Sequence, residues 1–194
     1  MRTMTVSSPS PPLSELCAEY WQWIYSIPKG QNPLDTGQVS TDKEEFICLP
    51  CTGGGEDCSR KYDVPEQDAN KDILVPVFTV TWSTAEAQEQ QLLSLSRDDV
   101  RDAQELMISV DGKRLTPEYV ETRPFDVQIP TNFRFDGPEY NNPSNIQPGR
   151  YKAVSAGYWY RLKPLPKGEH IVRFGGTGHD NFFHTKVQYT LNIR

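Results

Sequence analysis

Three sets of side chains in this sequence have the types and spacing to do chemistry. The first is a thiol cluster, Cys48-x2-Cys51, with Cys58 across the Gly-rich turn Thr52-Gly53-Gly54-Gly55. This is the first half of a zinc-site spacing, because thiolates grouped around a tight turn can close on a tetrahedral ion. Three thiolates still need a fourth ligand, which Cys17 or a distant histidine would have to supply, and the second Cys-x2-Cys is absent. The same cysteines would suit a disulfide in an exported protein or plain thiols in a cytosol.

The second set is His179, Asp180 and His184, in and after the loop that follows Phe174-Gly175-Gly176. Two imidazoles and a carboxylate that converge can hold a divalent metal and activate water, the chemistry of a metal-dependent hydrolase. An exposed turn of Gly-His-Asp-Asn character explains the same residues more simply. His170, in step with Val172 and Phe174, reads as a hydrogen-bonded core histidine. Asp35, within Asn32-Pro33-Leu34-Asp35-Thr36-Gly37, would serve either a calcium loop or an Asx turn. The other acidic residues lack the spacing of an EF-hand loop, and neither a Gly-x-Ser-x-Gly elbow nor a phosphate-binding loop is present.

The third set is aromatic: Trp159, Tyr140, Phe133 and Phe135. Rings exposed on a β-protein stack on sugar faces or anchor a protein partner. Burial under the long Pro- and Asn-rich loop at 130–150 is the commoner fate of such rings.

These residues must be positioned by a mostly β fold. From Phe183 to Ile193 the odd positions are Phe, Thr, Val, Tyr, Leu and Ile, and the even ones are polar. That period of two puts one face on a core and the other in water, as in an antiparallel sheet. The near-continuous apolar run from Ile73 to Trp82 reads as a buried strand, with Pro76 marking a bulge or an edge. Asp111-Gly112 signals a type I′ hairpin, and Phe125 to Ile129 alternates as a further strand. A helix is expected near 14–27, capped by Ser14 and stopped by Pro28, with Leu16, Tyr20, Trp23, Ile24 and Ile27 on one face. A helical insertion is expected near 84–104, with a second cap at Ser96. The reading is an antiparallel β-sandwich, jelly-roll or Ig-like, over residues 13–194 after a flexible tail at 1–12.

The chain has 194 residues, a net charge of −6 and a pI near 5.1, which argues against a nucleic-acid surface. No apolar stretch approaches the roughly 20 residues of a membrane helix. The N-terminal segment lacks the apolar core of a secretory signal. As written the protein is expected in the cytoplasm, or exported if a leader has been removed. Function is expected to be non-catalytic binding or assembly, with a protein or carbohydrate partner. A metal-dependent enzyme using zinc or calcium is the alternative. The apolar stripe of the first helix would also suit a homo-oligomer.

Set in order, several segments resemble a family of uncharacterised bacterial and archaeal proteins, often exported. The matching residues are Trp21, Trp23, Ser26-Ile27-Pro28, Asn32-Pro33, Asp35, Gly53-Gly54, Val64-Pro65, Val75-Pro76-Val77 and Trp82-Ser83-Thr84-Ala85-Glu86. They continue with Val110-Asp111-Gly112-Lys113, Gly157-Tyr158-Trp159, Leu162-Lys163-Pro164-Leu165, Gly168, His170, Phe174-Gly175-Gly176 and Tyr189-Thr190-Leu191. The resemblance covers most of the chain and implies a shared fold, but no activity or ligand. Cys48 and Cys51 fall where such proteins carry apolar residues, which implies that the thiols are particular to this chain.

Overall fold

A computed structural model describes residues 11–39, 46–51, 57–135, 146–178 and 184–194. Helix α1 (Leu13–Tyr25) buries Leu16, Cys17, Tyr20, Trp21, Ile24 and Tyr25. Ser14 is not its cap. The helix starts from Pro12, whose carbonyl accepts from the amides of Glu15 and Leu16, so Ser14 lies inside the first turn. The chain then turns into the short α2 (Pro33–Thr36), capped by Asn32. The Asn32 side chain is fully buried, and its Nδ2 donates to the carbonyls of Ile24, in the last turn of α1, and Ile27 beyond it.

Among the described residues ten strands follow: β1 (Phe46–Cys48), β2 (Asp57–Val64), β3 (Asp72–Ser83), β4 (Gln104–Val110), β5 (Lys113–Leu115), β6 (Glu118–Glu121), β7 (Phe125–Ile129), β8 (Gly149–Leu162), β9 (Gly168–Thr177) and β10 (His184–Ile193). Helix α3 (Leu92–Val100) lies between β3 and β4. It is shorter than the helical insertion expected at 84–104. Ser96 sits within it, buried, donating its hydroxyl to the carbonyl of Val154 instead of capping a new helix.

The strands form two five-stranded sheets, so the mostly β expectation holds. The first runs β1-β3-β8-β6, with β7 also on β8; the second runs β2-β10-β9-β4-β5. The ladders are antiparallel except two: β1 runs parallel to β3, and β2 parallel to β10. A parallel neighbour needs a long connection, and β2 reaches β10 only through most of the chain. The sheets meet where β3 crosses β9 and β4; α1 lies on β6, β7 and β8, and α3 on β3 and β8.

Several local expectations are met. On β10, Thr185, Val187, Tyr189, Leu191 and Ile193 are buried, and Tyr189 stacks on Phe174 of β9. Register slips between Pro76 and Phe78, the bulge that a proline within a strand requires. Asp111 and Gly112 both take positive φ (50° and 80°), as a type I′ turn demands.

β2 was not legible as a strand. Its inward row is Cys58, Arg60, Tyr62 and Val64, opposite Val187, Tyr189, Leu191 and Ile193. Arg60 is satisfied in the interior by loop carbonyls. Nη1 donates to Pro50 O (3.0 Å), Cys51 O (3.3 Å) and the Tyr189 hydroxyl (3.0 Å), and Nη2 to Leu34 O (3.4 Å).

Candidate functional site

The expected ligand-stacking rings are mostly core. Trp159 is 0% exposed and meets Tyr20 of α1 edge-on, with ring centroids 5.2 Å apart. Phe133 is buried against Tyr25, and Phe135 is half-buried against Tyr25 and Trp21, with the Arg134 guanidinium over its ring. Trp159 and Phe133 therefore offer no open face. The reason is that α1 brings four aromatic side chains, Tyr20, Trp21, Trp23 and Tyr25, onto one region. Burying large apolar rings there is worth more than exposing them. Tyr140 lies outside the described residues.

The four thiols lie on separate segments, with Cys17 and Cys48 near enough to feel one another. Cys48 is buried on β1, and Cys51 lies with its Sγ 3.6 Å from the Tyr20 hydroxyl. Cys58 is half-buried on β2 and Cys17 is buried on α1. No disulfide joins these four described residues. Burial pushes the Cys17 and Cys51 thiols up, with Cys48 adding to the shift of Cys17. Among the described residues no group of three or more His, Cys, Asp or Glu is placed to hold a metal ion. His184 opens β10, half-buried, while His179 and Asp180 lie outside the described residues. Asp35 accepts from the amide of Gly30 and faces Arg134 at 3.0 Å. A guanidinium there disfavours a calcium ion beside the same carboxylate.

Two polar clusters test for catalysis. Glu86 Oε2 accepts from the Ser83 amide (2.9 Å), the Ser83 hydroxyl (2.5 Å) and Tyr25 OH (3.2 Å). A Glu three residues after a Ser, reaching back to that residue's amide and hydroxyl, closes the turn that follows β3, here also tied to α1. His170 pairs with Asp111, but its other nitrogen faces the carbonyl of Pro166 instead of a nucleophile. Neither cluster has the nucleophile, base and orienting group of a catalytic set.

The ring that does meet solvent was missed. Among the described residues Tyr119, 46% exposed, is the one large hydrophobic side chain left open. It lies on β6, opposite Tyr158 of β8, and the two rings pack edge-on at 5.4 Å. Its hydroxyl donates to Glu121 Oε1 (2.9 Å), and Arg97 of α3 grips Glu121 with Nε at 2.8 Å and Nη2 at 2.7 Å. Partial burial and the Glu121 carboxylate push the Tyr119 phenol up to about 12, so it stays a neutral donor. The paired Arg97 holds the Glu121 carboxyl below its usual range. The ring is therefore exposed yet oriented.

Tyr119 also sits at a sheet boundary. β6 ends the path β1-β3-β8-β6. On the α1 side a groove of about 340 Å³ runs between the first turn of α1 and the β6–β7 connection, lined by Ser14, Glu15, Ala18, Arg123 and Phe125 among others. The one available signal was Thr116-Pro117-Glu118-Tyr119-Val120-Glu121, a break followed by Tyr and Val alternating with acids.

Compared with known proteins, the chain matches no protein family, no curated protein and no solved structure. Among the described residues no helix is long and apolar enough to cross a membrane.

Proposed function

We propose that this chain is a non-catalytic binding module, a sandwich of its two sheets, that takes an extended segment of a partner protein along the β6 edge. The observation that carries the reading is the oriented, half-exposed Tyr119 on a terminal strand. An edge strand offers unpaired backbone donors and acceptors to an added strand, and side-chain pockets supply the specificity. Side chains of an added strand alternate between faces. One set would meet Tyr119 and Tyr158, and the other the groove at Glu15, Arg123 and Phe125. Backbone pairing of this kind favours a peptide over a sugar, although a tyrosine beside polar groups is a familiar element of both.

The test is to probe a peptide array and a glycan array with the labelled protein, then titrate hits against Tyr119→Ala. Peptide binding should weaken by roughly tenfold, since an exposed aromatic anchor contributes on the order of 1–2 kcal/mol. Glycan binding alone would replace the protein partner by a carbohydrate. Peptide binding unaffected by Tyr119→Ala would move the site elsewhere.

A further inference from the structure

His170 stands at the start of β9 with its ring half-buried, while Asp111 beside it is more open. Nδ1 lies 2.7 Å from Asp111 Oδ2, and Nε2 lies 2.8 Å from the carbonyl oxygen of Pro166. Both neighbours are acceptors only. A neutral imidazole carries one N–H, so it can donate to one of them and must turn a lone pair towards the other. Only the imidazolium satisfies both contacts. The other carboxylate oxygen, Oδ1, accepts from the amide of Ile171 at 2.8 Å, and the Asp111 amide donates to Ile171 O at 2.9 Å. Asp111 is also the first central residue of the β4–β5 turn. One carboxylate thus ties the turn to β9, and one ring ties it onward to the β8–β9 connection.

We propose that His170 and Asp111 form a proton-operated clamp, which pins the β4–β5 turn to the start of β9 when the imidazole carries two protons and loosens it when the ring is neutral.

The surroundings leave Asp111 as the charge that acts on the ring. Across the sheet His170 pairs with Leu191 of β10, whose other partner in register is Tyr62 of β2, and neither is charged near neutrality. Lys167 and Glu169 flank it along the chain, and Lys113 and Arg114 follow in the hairpin; all four are exposed. Burial lowers the His170 pKa, but the Asp111 contact and the Pro166 carbonyl outweigh it, so the net shift is upward. The contact with His170, then the Ile171 amide, lowers Asp111. The signs define a window. The His170 contribution is complete below the ordinary histidine pKa and is lost as pH rises through the raised value. The Asp111 contribution is lost as pH falls through its lowered value. The clamp is closed between the two.

The experiment uses the full chain, labelled with ¹⁵N. Ring-nitrogen spectra are recorded against pH, with His170→Gln used to assign one of the three histidines, and amide exchange of residues 108–115 is followed in parallel. Below neutrality both His170 nitrogens should be protonated, with a midpoint above the roughly 6.5 of an unperturbed histidine. Asp111→Asn should lower that midpoint by about half a pH unit or more, because Asn keeps the left-handed turn position while removing the charge. Hairpin exchange, corrected for base catalysis, should rise about threefold or more through the midpoint. Asp111→Asn should abolish that step. A single neutral tautomer below neutrality, a midpoint indifferent to Asp111→Asn, or an exchange step that survives in that variant would each overturn the clamp.

Discussion

Tyr158 and Trp159 are neighbours on β8 and serve opposite faces of the first sheet. Trp159 lies under α1 with no exposed surface, while Tyr158 faces the side where Tyr119 stands open. The buried face even leaves a cost in place, since the Trp159 Nε1–H is buried with no hydrogen-bond partner among the described residues. An unsatisfied buried donor costs about 1–3 kcal/mol, so Trp159 is held for its volume and not for its polar handle. On the open face the polar handle is kept, because Tyr119, Glu121 and Arg97 are mutually satisfied. Aromatic residues on one strand pair thus divide into a set that builds the fold and a set left towards solvent.

The largest expected effect comes from breaking the dry side. Trp159→Ala should cost about 3–5 kcal/mol in a denaturant melt, as aromatic truncation in a core does. A cost below about 1 kcal/mol would mean that the α1 face is not core. Leu191→Ala, on the inward row of β10, should cost about 2–4 kcal/mol by the same measurement, which sets the scale for the second sheet. Gly157 lies beside the Tyr158–Trp159 step, where an added Cβ would fall 2.5 Å from Phe78 O and Thr79 Cα. Gly157→Ala should therefore cost about 1–3 kcal/mol through backbone displacement. Trp159→Phe removes the orphaned donor along with some volume, and should cost less than about 1.5 kcal/mol. A larger loss would show that the indole N–H has a partner. Smallest of all, Tyr119→Ala should shift stability by less than about 1 kcal/mol, while weakening the proposed peptide binding roughly tenfold. Equal effects on folding from Tyr119→Ala and Trp159→Ala would erase the contrast.

The sequence made β10, the Asp111-Gly112 turn and the Pro76 bulge legible because each is a local rule with one dominant cause. Trp159 misled because period two assigns alternate residues to alternate faces but is silent on which faces are covered. Helices lie on β8 on both sides, α1 towards Trp159 and α3 towards Phe78 and Ala156. β2 was hidden because Arg60 occupies an inward slot, and carbonyls from distant loops together with Tyr189 of β10 make that slot habitable. The first half of β8, Gly149 to Ala156, escaped because Lys152, Ala153, Ser155 and Ala156 carry little of the β-branched bulk by which a strand is recognised. Tyr119 escaped because a four-residue edge strand is too short for periodicity to register. Cys48, Cys51 and Cys58, close in sequence, belong to different elements, and no spacing rule could reveal that.

The position of β10 at the heart of the second sheet governs how that sheet can assemble. Asp57 and Lys186, bonded across β2 and β10, are 129 residues apart. Until β10 is available, β2 and β9 have no strand between them. A ribosome must therefore release residues 184–193 before this half of the molecule can close, and the early strand must wait with Arg60 and Tyr62 unplaced. Pairings this distant in sequence slow folding to roughly the millisecond-to-second range, and waiting strand edges are where aggregation begins. β10 therefore bears on the rate of refolding as well as on equilibrium stability.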